Sequence, residues 1–75
     1  MTNERYHINI FYSDEDAGFI ADVPDLSNCS AFGKTPETAL AEVRIAMRTW
    51  LAAARKLRRP IPKVRYRPAI YQVAR

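Results

Sequence analysis

Apolar and polar residues alternate from Tyr6 to Tyr12. Tyr6, Ile8, Ile10 and Tyr12 fall on one face, and His7, Asn9 and Phe11 on the other. Period two in a run this rich in aromatic and β-branched residues predicts a strand. Ser13 to Gly18 is an acidic turn, in which Gly18 is expected to supply a positive φ. Phe19 to Val23 alternates again, with Phe19, Ala21 and Val23 toward a core and Asp22 outward, which predicts an antiparallel hairpin. Pro24 cannot donate to a ladder and ends that strand. Asp25-Leu26-Ser27-Asn28 reads as a loop, and Cys29 to Gly33 as a third short strand with Cys29 and Ala31 inward.

The period then lengthens. Thr35 is placed to cap a helix, with Pro36 at its first position and Glu37 in its first turn, although Thr38 stands where a capping box would have Glu or Gln. Leu40, Val43, Met47, Trp50, Leu51, Ala54 and Leu57 recur at three- and four-residue steps, an apolar stripe for a helix of about five turns. Trp50 is expected at the centre of the packing, where truncation to Ala would cost about 3–5 kcal/mol. Pro60 and Pro62 are expected to stop the helix. Residues 60–68 read as an extended connector, and Ala69 to Val73 as a fourth strand. The order βββαβ predicts an α+β domain: an antiparallel three-stranded sheet, one long helix packed on it, and a C-terminal strand. Residues 1–59 would form the βββα core, and 60–75 the Pro-rich basic connector and last strand of the same domain. Phe11, Ile20 and Phe32 are left on the face away from the helix, an apolar patch that points to a partner.

Length sharpens that point. A chain of 75 residues buries only about 60% of the surface its unfolded form exposes. One cysteine excludes an internal disulfide, and one cysteine with one histidine cannot close a structural zinc site. Self-association is the remaining common support, so a homo-oligomer is expected. No stretch approaches the roughly 20 apolar residues that span a bilayer. The polar start, Met1 to Arg5, does not read as a signal peptide, and a lone thiol fits a reducing compartment, so the expected location is cytoplasmic.

Net charge is +4, unevenly spread. Residues 1–42 hold all eight acidic residues with Arg5 and Lys34 as their only bases, a net −6, whereas residues 43–75 hold ten bases and no acid, a net +10. Two surfaces are therefore candidates. Asp14, Glu15, Asp16, Asp22 and Asp25 would face a basic partner. Arg55, Arg58, Arg59, Lys63, Arg65 and Arg67, with Tyr66 and Tyr71 nearby, would contact nucleic acid or dock an oligomer.

Catalytic readings fare poorly. Gly33-Lys34-Thr35 resembles the end of a P-loop, but Asn28 stands where its first glycine belongs and Pro36 removes a backbone donor. Cys29 and His7 lack a third group to orient them as nucleophile and base. The acidic residues lack EF-hand spacing. No enzyme activity, metal or cofactor is expected.

Taken in order, Gly18-Phe19-Ile20-Ala21-Asp22-Val23-Pro24-Asp25-Leu26, then Cys29 through Leu40, then Pro60-Ile61-Pro62, resemble the signature of the HicB-like antitoxin family over nearly the whole chain. The resemblance implies a partial ribonuclease-H-like βββαβ fold without the nuclease carboxylates, and dimers or tetramers. It implies a HicA-like partner, a small mRNA-cleaving toxin whose active site the antitoxin covers. Asn28, Lys34 and Thr38 differ from residues common in that family. Family members carry a C-terminal DNA-binding domain, for which 75 residues leave no room, so a short form is expected. Against this antitoxin expectation stand a nucleic-acid-binding domain using the basic half, and a HicB-like domain without a toxin.

Overall fold

A computed structural model describes residues 5–68 of the chain, in the order β1 (Asn9–Ser13), β2 (Gly18–Asp22), β3 (Ser30–Gly33) and α1 (Pro36–Lys56). The three strands form one antiparallel sheet in the order β1-β2-β3, with Ile10 opposite Ala21 and Ala21 opposite Ala31. Ala21 and Ala31, both short, face α1, which packs on the sheet chiefly through β3 and β2 and only slightly on β1. The α+β architecture of three antiparallel strands and one helix is as the periodicity predicts. The fourth strand expected at Ala69 to Val73 lies outside the described residues.

The first hairpin turns through four residues, Asp14 to Ala17, between the paired Ser13 and Gly18. The Ser13 hydroxyl donates to the Asp16 carboxylate at 2.8 Å, and the Asp16 N–H approaches the same hydroxyl oxygen at 3.4 Å. The left-handed residue is Ala17, with φ 54°, and not Gly18, as the turn chemistry predicts. Gly18 is glycine for another reason. A Cβ there would lie 2.4 Å from the Phe32 ring, which covers it.

The connection between β2 and β3 is a folded plug where the sequence reads as a plain loop. Leu26 N–H donates to Val23 O at 3.1 Å and Cys29 N–H to Leu26 O at 3.3 Å, making two successive turns. Val23 N–H closes the segment on Cys29 O at 2.9 Å. Pro24 and Asn28 suit these turns: proline presets the first corner, and Asn28 takes φ 57° in the second. Val23, Leu26 and Cys29 thereby enter the core at every third residue.

Helix α1 begins as predicted. Thr35 caps it, its hydroxyl accepting from Thr38 N–H at 3.1 Å, with Pro36 at the first position. Its end is decided before the prolines. Arg58 N–H donates to Arg55 O at 3.0 Å and Arg59 N–H to Ala54 O at 2.8 Å, the paired bonds of a Schellman cap. Arg58 takes the left-handed position usually given to glycine, with φ 57°. The buried stripe is Ala39, Val43, Met47, Leu51 and Ala54. Leu51 and Met47, with Leu26, Val23 and Val43, are the largest fully buried side chains. Trp50 is not the centre of this core. It is only half-buried at the rim, where its Nε1 donates to Ser27 O at 2.8 Å and ties the helix to the plug. The indole N–H requires such a partner, which favours the rim over the interior.

Gly33 sets the distance between helix and sheet. A Cβ at this position would meet the Ala39 backbone nitrogen at 2.2 Å, so the first turn of α1 lies directly on β3.

The connector returns across the end of the sheet. The Tyr6 hydroxyl donates to Pro62 O, and the Asp25 carboxylate accepts from Arg65 N–H at 2.9 Å and from Tyr66 N–H at 3.1 Å. Desolvation, then the Asp25 charge, pushes the Tyr6 hydroxyl above its ordinary value of 10.0, with Arg55 opposing. Burial likewise raises the Cys29 thiol above 9.0.

Ala17→Gly should raise stability in urea denaturation by about 1 kcal/mol, by relieving left-handed strain. Gly33→Ala should lower it, because backbone must yield. Both raised groups keep their protons longer folded than unfolded. The stability they contribute is full below their ordinary values and is lost as pH rises through them. Thermal melting should therefore shift downward between pH 9.0 and beyond 10.0.

Candidate functional site

The sheet has one covered face and one open face. By alternation, Asn9, Phe11, Ser13, Gly18, Ile20, Asp22, Ser30 and Phe32 point away from α1. Phe11 stands opposite Ile20, and Ile20 opposite Phe32, so the three form a single row across the strands. Phe11 is 50% exposed and Phe32 40%. On one side of this row lie Asn9, Asp22 and Ser30, and on the other Ser13 and Gly18. The apolar row is legible in the sequence.

The strand edge adds to this. Because α1 barely covers β1, Ile10 and Tyr12 are also exposed on the helix side, and the Tyr12 ring meets Phe19 edge-on with centroids 5.3 Å apart.

The five acidic candidates do not form one cluster. Asp14 and Glu15 are exposed at the hairpin tip, while Asp16 beside them is engaged by Ser13. Asp22 lies on the open face at the opposite end of β2, about 13 Å away at 3.3 Å per residue. Asp25 is half-buried and holds the connector, so its charge serves the fold.

The basic candidates are strung along the helix end and connector. Arg55 lies in the last turn of α1, Arg58 and Arg59 in its cap, and Lys63, Arg65 and Arg67 on the extended segment. All six are exposed. Tyr66 packs its ring on His7, with centroids 4.6 Å apart. A cleft of about 460 Å³ between the helix end and the plug is lined by Ser27, Trp50, Leu57 and Pro60, with Arg59 its one charged side chain.

Cys29 and His7 are placed apart. Cys29 is buried in the core. The His7 ring bonds Asn9 Oδ1 at 2.7 Å, two residues along, which puts it on the open side of the sheet. Among the described residues, no three His, Cys, Asp or Glu side chains gather as a metal site, and no helix is long and apolar enough to cross a membrane.

Two curated proteins are similar to the chain. A UPF0150 protein of Synechocystis sp. is 33% identical over 55 residues, covering 73% of this chain and 75% of the relative. A UPF0150 protein of Thermoplasma acidophilum is 33% identical over 54 residues, covering 72% of this chain and 78% of the relative. No protein-family model and no solved structure matches. With a third of the aligned residues identical over about three quarters of this chain and of each relative, the chain belongs to the UPF0150 family.

Proposed function

We propose that this UPF0150 chain is a HicB-type antitoxin, a cytoplasmic protein-binding module that neutralises a HicA-like, mRNA-cleaving toxin by covering its active site. The observation that carries the proposal is the hairpin tip. Asp14 and Glu15 project into solvent from a turn that Ser13 and Asp16 brace internally. A toxin that grips RNA must present cations around its active site, and an acidic projection on a short, paired hairpin is suited to occupy them. The resemblance of residues 18–40 to the HicB signature supports the same reading.

The partial ribonuclease-H-like βββαβ arrangement belongs to this proposal. The Tyr66–His7 contact brings the connector to the start of β1, whose outer edge is unpaired among the described strands. A strand from residues 69–73 would extend the sheet there.

Co-expression with the adjacent reading frame tests the proposal. The neighbour alone should arrest growth. Together the two should restore it and purify as a complex. Asp14→Lys with Glu15→Lys should weaken that complex by at least about tenfold without lowering the melting temperature. Absence of both toxicity and complex would remove the antitoxin function. If the chain alone instead shifts RNA or DNA, with affinity falling steeply with salt, Arg55 to Arg67 become the functional surface.

A further inference from the structure

The cleft beside the end of α1 serves neither the core nor the hairpin tip. One side of the last two helical turns lines it, where Trp50, Ala53 and Leu57 follow at helical spacing. Ser27 of the plug and Pro60 of the connector also line it. Its volume of about 460 Å³ falls within the roughly 300–1,000 Å³ of preformed binding pockets. The indole is a fixed wall, because its Nε1 is held by Ser27 O at 2.8 Å. Leu57 is 62% exposed, more than any other large apolar side chain among the described residues. Scattered apolar side chains need no explanation, but this one lines a cleft together with Trp50 and Pro60.

The surroundings carry one sign of charge. Arg59 is in the lining, and Arg55, Lys56 and Arg58 are exposed in the same last turn and cap. The helix macrodipole offers only about half a unit of negative charge at this end, so it does not balance four cations. After Glu42 the helix holds no acid. Asp25 lines the adjoining cleft instead, where its carboxylate accepts from the Arg65 and Tyr66 N–H groups. We propose that the cleft docks an acidic peptide segment of another protein. One large apolar side chain of that segment seats among Trp50, Leu57 and Pro60, and its flanking carboxylates meet Arg59 and the cations beside it.

The two features together select this occupant. An apolar segment alone would leave the cations unanswered. A nucleic-acid strand would set successive bases on successive aromatics, and Trp50 is the one aromatic residue of the lining. Residues 69–75 of this chain bring a base and no acidic side chain. From Trp50 to Leu57 the helix wall runs about 10 Å, which is room for a single anchor. Binding is therefore weak, with a dissociation constant on the order of 100 µM. This inference does not rest on the antitoxin proposal, which is read at Asp14 and Glu15.

Trp50 is the one tryptophan of the chain, so its fluorescence reports on the cleft. The probe is a blocked peptide of one leucine between two pairs of glutamates, titrated into the full chain up to about 1 mM. A saturable change in emission is expected. Peptides with serine for the leucine, or lysines for the glutamates, should bind at least about tenfold more weakly. Leu57→Ser and Arg59→Glu should each weaken binding of the acidic peptide by about tenfold. Arg44→Glu, the same charge change at an exposed position elsewhere on α1, should leave it unaltered. If Leu57→Ser melts early, Arg59→Glu, which lies beyond the helix, decides instead. No saturable change, or equal binding of the lysine peptide, would overturn the proposal. So would tighter binding of an oligothymidylate, which assigns the cleft to nucleic acid, or an emission change with protein concentration alone, which assigns it to a second copy.

Discussion

A β-sheet has two faces to cover, and the described residues hold a single long helix. The helix takes the face carrying Ala21 and Ala31, and the absence of a Cβ at Gly33 lets its first turn rest on the backbone of β3. That close seat has a geometric consequence. A helix pressed onto β3 and β2 cannot also shelter β1. Ile10 and Tyr12 are therefore exposed on the helix side of the edge strand, while Phe11 is exposed on its open side. The apolar surface available for partners is thus the counterpart of how tightly the core is closed.

Much of the remaining structure compensates for the small size of that core. The segment between β2 and β3 folds inward as two turns and contributes Val23, Leu26 and Cys29. Trp50 forgoes the interior to fasten the helix to this plug. The connector is strapped back by Tyr6 and Asp25, joining a segment without regular structure to the same body. Each strap uses a hydrogen bond to fix a segment that apolar burial alone would not hold.

The fold also divides labour among residues that look equivalent by charge. Of the five acidic candidates, Asp25 is a structural acceptor, Asp16 belongs to its turn, and Asp22 borders the apolar row. Only Asp14 and Glu15 are left at the hairpin tip as surface charge on a braced support. A UPF0150 domain arranged in this way offers separate surfaces: an acidic tip, an apolar sheet face bordered by Asp22, and a basic helix end.

The elements themselves were legible in the order of residues. Period two marks the strands, Thr35-Pro36 marks the helix start, and the spacing of Val43, Met47, Leu51 and Ala54 marks its buried stripe. Local sterics and amphipathicity determine these, and both are written in neighbouring residues. The row of Phe11, Ile20 and Phe32 on one face was legible for the same reason. What depended on contacts between distant residues was not. Gly18 reads as a turn glycine and Gly33 as the end of a strand, yet each makes room for a group brought from elsewhere, the Phe32 ring and the Ala39 backbone. Left-handed backbone fell to Ala17 and Arg58, because hairpin pairing and the helix cap demanded it regardless of side-chain preference. Trp50 moved from the expected centre to the rim, and Asp25 from surface to strap, because their hydrogen-bond partners lie 23 and 40 residues away. Local pattern determines which segments pair and curl; only the packed chain decides which polar group finds which partner.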